Sequence, residues 1–86
     1  MQINILNLHP KRYKMTLSEF VKYKRRLAKL TQPALAEKAG VGLRFVRDME
    51  QGKQTLRLDK VNKVLGLFGC EMGPVNSTHS AILTNN

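Results

Sequence analysis

Four polar side chains in the middle of the chain repeat at helical spacing. They are Arg44, Arg47, Asp48 and Gln51, at positions i, i+3, i+4 and i+7, so on a helix they form one exposed stripe. An arginine guanidinium matches the O6 and N7 acceptors of guanine, and Leu43 can contact a thymine methyl group. Asp48 can accept a hydrogen bond from cytosine N4 or pair with a neighbouring arginine. We therefore predict that this helix lies in the major groove of DNA and that Leu43, Arg44 and Arg47 read bases.

The other reactive side chains do not form a catalytic or metal site. His9 and His79 have no partners at metal-ligand spacing, and Cys70 is the single cysteine, which excludes a disulfide within the chain. Serine and threonine residues flank His79, but no predicted helix or strand surrounds them to hold a catalytic triad. We predict that the protein is not an enzyme and that it holds no cofactor and no metal.

The composition of the whole chain indicates a polyanionic partner. Among 86 residues, 15 Lys and Arg against 6 Asp and Glu give a net charge of +9. Such an excess attracts nucleic acid first and an anionic membrane surface second. No apolar run approaches the ~20 residues of a membrane span. The short apolar N-terminus precedes its basic residues, which is the reverse of a signal peptide. We predict one soluble, intracellular domain with no membrane partner.

Hydrophobic periodicity and capping residues predict four helices. Thr16 with Glu19 has the pattern of a capping box, Thr31 can cap a second helix, and Gly40 suits a helix end. The predicted helices span residues 16–30, 31–39, 43–51 and 58–68, and a short strand is predicted at 70–75. The chain is thereby divided into a basic N-terminal arm (1–15), a helical domain (16–73) and a flexible C-terminal tail (74–86).

The second and third predicted helices form a helix-turn-helix. Both are short, and a glycine-containing turn at residues 40–42 joins them. Ala36 allows the two helices to approach closely, while Val46 and Met49 face the core. The polar stripe is then left on the free side of the third helix. These features predict an all-α DNA-binding module.

This segment resembles two groups of repressors. Residues 30–32 (LTQ), 35–41 (LAEKAGV), 46–47 (VR) and 49–53 (MEQGK) are similar to the Xre/Cro-type helix-turn-helix of phage repressors. Residues 42–53 and 58–61, with the strand after the fourth helix, are closer still to HipB-like antitoxins of type II toxin–antitoxin operons. The resemblance covers about residues 16–73. It implies a lambda-repressor-like helix-turn-helix bundle of four to five helices with a short C-terminal strand at the dimer interface.

The resemblance also implies roles for residues outside the stripe. Gln32 touches a phosphate or supports a recognition side chain, and Lys53 and Arg57 contact the DNA backbone. Arg25 pairs with Glu50, and we expect this ion pair to be half-buried and to lock the first helix against the third. The complete expected DNA-binding set is Gln32, Leu43, Arg44, Arg47, Asp48, Lys53 and Arg57. The family implies a homodimer with recognition helices about 34–36 Å apart on a palindromic operator of double-stranded DNA. Because Leu43 stands where glutamine is frequent, the operator sequence is not carried over.

Two functions are compatible with the resemblance. The first is a repressor that is the antitoxin of a HipBA-like operon, autoregulates its promoter and neutralises a HipA-type Ser/Thr kinase toxin. The alternative is a stand-alone phage or plasmid regulator with no toxin. Either is expected at the nucleoid in a bacterial cytoplasm. The candidate toxin surface is Phe20, Tyr23 and Leu27 with the tail, and the basic run at 22–26 has three alternatives: contact with DNA, contact with a toxin, or solvation.

Overall fold

Four α-helices make up the part of the chain that the computed structural model describes, residues 15–75. Their bounds are Leu17–Leu27 (α1), Gln32–Ala39 (α2), Leu43–Glu50 (α3) and Leu58–Gly66 (α4). These residues contain no strand, which confirms the expectation of an all-α fold. None of the four helices is long and apolar enough to cross a membrane. Residues 1–14 of the predicted basic arm and residues 76–86 of the predicted tail lie outside the described part of the chain.

The first helix begins as predicted but ends earlier. Thr16 Oγ1 accepts a hydrogen bond from the Glu19 N–H at 3.2 Å, and Glu19 Oε1 accepts one from the Thr16 N–H at 2.9 Å, which confirms the capping box. At the other end Lys29 has a left-handed φ of 58°. The N–H groups of Lys29 and Leu30 donate to carbonyls in the last turn of α1, which is a Schellman motif. The predicted end at Leu30 is wrong because lysine takes the place where glycine usually marks the stop.

The turn between α2 and α3 brings the two helices into contact. Thr31 caps α2, since its Oγ1 accepts a hydrogen bond from a backbone N–H of the first turn at 3.2 Å. Gly40 ends the helix with φ 74°, a conformation that a Cβ would disfavour. The Val41 N–H can then donate to the Ala36 carbonyl at 3.0 Å. Three residues connect the two helices, and α3 begins directly after Gly42.

One apolar cluster, supplied by all four helices, forms the core. Its buried members are Val21, Leu35, Ala36, Val46, Met49, Val61, Val64 and Leu65. α3 packs against α1 and α2, and α2 also packs against α4. Full burial of a large apolar side chain stabilises a fold by roughly 1.5–3 kcal/mol. The core therefore fixes α3 firmly, but it does so from one side only.

The segment after α4 differs from its prediction. α4 ends at Gly66 rather than Phe68, because the N–H groups that follow donate three residues back and make a tighter turn. Residues 70–75 do not form a strand in the single chain, since a strand requires a neighbouring strand and the described residues offer none. The Met72 N–H donates instead to Asn62 Oδ1 at 2.7 Å.

Candidate nucleic-acid interface

The recognition helix predicted from the sequence, α3, has one buried side and one exposed side. Val46 and Met49 are 0% and 1% exposed, which fixes the helix to the core. Arg44 and Arg47 lie on the exposed side, and the Arg44 side chain is 87% exposed. The helix cannot rotate without exposing its apolar side. The two guanidinium groups are therefore carried on a rigid element, as base recognition requires.

The side chains at the two ends of α3 differ in their exposure to solvent. Leu43, at the N-terminal end, is partly buried and packs against the core cluster. Only part of its surface is left to meet a thymine methyl group. Gln51 follows the C-terminal end of α3 and is exposed. Of the polar stripe, Arg44, Arg47 and Gln51 thus face solvent.

Asp48 lies between two of the residues predicted to bind DNA. Its Oδ1 accepts a hydrogen bond from Arg44 Nε at 3.2 Å, and its Oδ2 lies 3.6 Å from Lys53 Nζ. The Lys53 N–H also donates to the Asp48 carbonyl at 3.0 Å, because Gly52 turns the chain back with φ 86°. Of the two roles predicted for Asp48, pairing with an arginine is the one seen in the free protein.

Hydrogen bonds join the C-terminal end of α3 to α1 and α2. We call the groups that make them the Glu50 cluster: the side chains of Arg25, Gln32 and Glu50 and the backbone carbonyl of Leu30. Arg25 donates from Nε to Glu50 Oε2 at 2.6 Å and from Nη2 to Oε1 at 2.9 Å. Its Nη1 donates to the Leu30 carbonyl at 2.9 Å. The side chains of Arg25 and Glu50 are 13% and 2% exposed. This ion pair is more deeply buried than the half-buried pair expected from the sequence.

The protonation state of Glu50 is set by these contacts. Burial alone would raise the pKa of its carboxyl group. The hydrogen bonds from Arg25 and Gln32, together with the charges of Arg25 and Lys22, outweigh burial, so the pKa of Glu50 lies below its usual value. Glu50 is therefore ionised at neutral pH and holds Arg25 in a fixed orientation.

Gln32 belongs to the Glu50 cluster rather than standing alone at the start of α2. Its Nε2 donates to Glu50 Oε1 at 3.1 Å. An amide nitrogen carries two hydrogens. Gln32 can therefore support Glu50 with one hydrogen and offer the other to a phosphate. Glu50 is not one of the predicted recognition residues, so this contact is not the support of a recognition side chain that the resemblance implies.

Arg57, the residue before α4, is paired with Asp59. Arg57 Nε lies 3.1 Å from Asp59 Oδ1, and Nη2 lies 2.7 Å from Oδ2. The hydrogen bonds from Arg57 lower the pKa of the Asp59 carboxyl. Both side chains are more than half exposed, at 68% and 59%. Because exposed pairs of this kind are weak, Arg57 can leave Asp59 to contact a phosphate.

A cation beside α3 was not among the predicted site residues. Lys60 Nζ lies 6.0 Å from the centre of the Phe45 ring, which places an ammonium group of α4 against a side chain of α3. The two residues belong to different helices and meet only in the folded chain. No local pattern could have found this contact. Within residues 15–75 no cluster of His, Cys, Asp or Glu could hold a metal ion.

The predicted toxin surface on α1 is smaller than expected. Tyr23 and Leu27 are 37% and 60% exposed. Phe20 is partly buried and packs against the core, so its inclusion in an exposed surface is wrong. The physical reason is the helical spacing of Leu17, Phe20 and Val21, which places them together on the core-facing side of α1.

Comparison with known proteins agrees with this geometry. Residues 21–75 match the family model described as helix-turn-helix, a range that includes every residue predicted to contact DNA. The chain is also similar to an uncharacterized HTH-type transcriptional regulator, y4mF, of Sinorhizobium fredii (strain NBRC 101917 / NGR234). The two are 43% identical over 56 residues, which is 65% of this chain and 74% of that protein. The chain therefore belongs to the Xre-like helix-turn-helix family of DNA-binding transcriptional regulators.

Proposed function

We propose that the protein is a sequence-specific repressor that binds a palindromic operator as a homodimer, with α3 of each subunit in a major groove. The observation that carries this proposal is the position of Arg44 and Arg47 on the exposed side of a helix whose other side is anchored in the core. Arginine bound to guanine O6 and N7 is the commonest specific contact in the major groove. A dimer bound over a promoter would block transcription.

Affinity and sequence preference are supplied by different residues in this proposal. Lys53 and Arg57 are exposed and follow α3, and together with Gln32 they contact phosphates. Such contacts release counterions and supply most of the binding free energy without reading the sequence. Leu43, Arg44 and Arg47 then select the operator. The net charge of +9 favours association with any DNA, and in this proposal α3 supplies the discrimination between sequences.

The homodimer is supported by apolar side chains that the single chain leaves exposed near the end of the described region. Leu67, Met72 and Val75 are 41%, 45% and 87% exposed. Residues 70–75 would gain a partner strand if the same segment of a second subunit lay beside them. Twofold symmetry would then match a palindromic operator with half-sites about one helical turn apart.

The double variant Arg44→Ala/Arg47→Ala tests which surface reads the operator. Each bidentate contact between arginine and guanine contributes about 1–3 kcal/mol of discrimination. The variant is therefore expected to reduce the ratio of operator binding to random-DNA binding at least about 30-fold. The fold is expected to persist, since both side chains are exposed. The operator is first selected by the wild-type protein from a random library, and the ratio is measured by competition binding, with circular dichroism as the check on folding.

A matched control removes two exposed cations from other helices. The variant Arg26→Ala/Lys63→Ala has the same change in net charge, and both side chains are exposed on α1 and α4. It is expected to weaken binding to all DNA while keeping the operator preference. Unchanged discrimination in the Arg44/Arg47 variant would show that another surface reads the operator.

A finer proposal is that this repressor is the antitoxin of a HipBA-like operon and neutralises a HipA-type Ser/Thr kinase. It is supported by the resemblance of residues 42–53 and 58–61 to HipB-like antitoxins. Tyr23 and Leu27 offer an apolar surface on α1, a different helix from the one that carries the arginine stripe. The predicted tail, residues 74–86, is a second candidate contact. A stand-alone phage or plasmid regulator with no toxin is the alternative.

Co-expression with the product of a kinase-like gene beside this one separates the two functions. For an antitoxin, we expect the two proteins to co-purify and the kinase to lose activity. The variant Tyr23→Ala/Leu27→Ser is expected to lose the kinase and keep the operator. Leu58→Ser, which removes an exposed leucine from α4, is the control and should keep both. A neighbouring kinase that remains active, or the lack of a kinase gene beside this one, would favour the stand-alone regulator.

A further inference from the structure

We propose that Asp48 is a positioning residue for base recognition. It holds Arg44 through Nε, so that the terminal amino groups of that arginine face a guanine, and it does not itself read a base. This inference rests on the proposed function, because it assigns a task within the same interface. It replaces the alternative in which Asp48 accepts a hydrogen bond from cytosine N4.

The contact between the two residues leaves the recognition end of the arginine available. Asp48 Oδ1 is 3.2 Å from Arg44 Nε, the nitrogen nearest the aliphatic stem. No hydrogen bond from Nη1 or Nη2 of Arg44 occurs among residues 15–75. These two nitrogens form a planar pair that matches guanine O6 and N7. The contact with the less exposed Asp48 thereby favours, among the many orientations open to a side chain that is 87% exposed, those in which Nε faces the carboxylate and the terminal nitrogens stay free.

The second oxygen of Asp48 is also engaged. Oδ2 lies 3.6 Å from Lys53 Nζ, and the Asp48 side chain is only 20% exposed. Each oxygen of this largely buried carboxylate faces a cation in the free protein, which leaves little of its surface to a cytosine amino group. Its negative charge also competes with phosphates for Arg44 and Lys53. Asp48 should therefore weaken binding to random DNA more than binding to the operator, and such a difference is what specificity requires.

Arg47 provides a contrast on the same helix. Its side chain is exposed, and in the described part of the chain it makes no hydrogen bond and no ion pair. Arg47 therefore reads its base without a carboxylate to orient it. A substitution of Asp48 should therefore lower the base preference at the base pair that Arg44 contacts and leave it unchanged at the base pair that Arg47 contacts.

The test compares the wild type with the variants Asp48→Ala, Asp48→Asn and Arg44→Ala. The operator is selected from a random library by the wild type, and binding is then measured to the operator, to all its single base-pair variants and to a random duplex over a range of salt. Asp48→Ala is expected to bind the random duplex roughly 3- to 10-fold more tightly, with a salt slope steeper by about 0.9 for each released cation that gains a phosphate. The preference of Asp48→Ala for the operator over its single base-pair variants should fall at least about 10-fold. This loss should occur at the base pair that Arg44→Ala also affects.

Two further variants separate orientation from charge. Asp48→Asn keeps an oxygen that can accept a hydrogen bond from Arg44 Nε, so it should retain part of the preference while binding random DNA as tightly as Asp48→Ala does. Asp59→Asn is the control for charge, because it removes a carboxylate that is paired with Arg57 and changes the net charge by the same amount. It should tighten binding to random DNA and leave the base preference unchanged.

The outcomes are distinguishable. If Asp48→Ala loses preference at a base pair where Arg44→Ala retains it, Asp48 reads a base and the positioning role is wrong. If Asp48→Ala keeps the full preference, the contact with Arg44 has no role in recognition and the inference also fails. In both cases the wild-type selection has succeeded, so the proposed function stands. A wild-type selection that enriches no sequence would overturn the proposed function, and the role of Asp48 with it.

Discussion

At the residue scale, the geometry of the interface depends on one buried carboxylate. Glu50 is 2% exposed and accepts hydrogen bonds from Arg25 and Gln32, so it connects α3 to α1 and α2. Only the family resemblance could indicate the pairing of Arg25 with Glu50, because local spacing does not show which distant residues meet. The contact from Gln32 to the same carboxylate required the packed structure, as did the pairing of Asp48 with Lys53.

The variant Glu50→Gln is expected to lower the free energy of unfolding by about 2–4 kcal/mol. Removing one partner of a fully buried ion pair costs about 3–5 kcal/mol, because the other charge is left without compensation. We expect a smaller loss here because the Arg25 side chain is 13% exposed and the amide oxygen of glutamine can still accept hydrogen bonds. The measurement is urea unfolding at neutral pH. The exposed Glu37→Gln is the control, with little expected change.

The same pair makes stability depend on pH. The pKa of Glu50 in the folded protein lies below its usual value, near ~4.3 in an unfolded chain. Its contribution is therefore fully present above the unfolded pKa and is lost as the pH falls through the folded pKa. The difference in unfolding free energy between wild type and Glu50→Gln should be largest at pH 6–7 and should shrink below about pH 4. A difference that is constant from pH 7 to pH 3 would contradict this role.

At the element scale, the sequence predicts the helices well because their signals are local. Apolar spacing predicts four helices, Thr16 and Thr31 mark two starts, and Gly40 marks the end of α2. The predicted end of α1 is wrong because Lys29 adopts a left-handed conformation, which is not expected of a lysine from the sequence. The single chain has no strand at the predicted residues 70–75. A strand forms only beside another strand, and the local sequence does not show whether such a neighbour exists.

The variant Lys29→Gly is expected to raise the free energy of unfolding by about 0.5–1 kcal/mol. A left-handed conformation costs a residue with a Cβ roughly 1–2 kcal/mol, and part of this gain is offset by the greater freedom of glycine in the unfolded chain. For a domain of this size the melting temperature should rise by a few degrees. Arg26→Gly, within α1, is the control and should lower the melting temperature. A decrease for Lys29→Gly would show that the lysine side chain stabilises the fold by a contact of its own.

At the scale of the whole molecule, composition predicts a polyanionic partner, and packing shows which cations can meet it. Of the six acidic residues, Asp48, Glu50 and Asp59 are paired with basic side chains. Arg25 is largely buried and paired with Glu50, whereas the Arg47 side chain is exposed. The net charge thus attracts DNA in general, and we expect the few cations on and after α3 to make the specific contacts.

The proposed homodimer leads to a prediction about two truncated chains. A chain that ends at Cys70 keeps the hydrogen bond from the Cys70 N–H to the Leu65 carbonyl, so the end of α4 should remain folded. It loses Met72, Val75 and the segment expected to pair with a second subunit. A chain that ends at Val75 keeps them. In sedimentation at low micromolar concentration we expect the shorter chain to be monomeric and the longer chain dimeric.

Operator binding by the two truncated chains should follow their oligomeric state. The shorter chain keeps α3 and its arginines, so it should still prefer one half-site over random DNA. It should bind the full palindrome little better than a single half-site, because its two recognition helices are no longer linked. The longer chain should bind the palindrome far more tightly. If the shorter chain remains dimeric, the interface lies elsewhere, and the exposed Leu67, directly after α4, becomes the next residue to substitute.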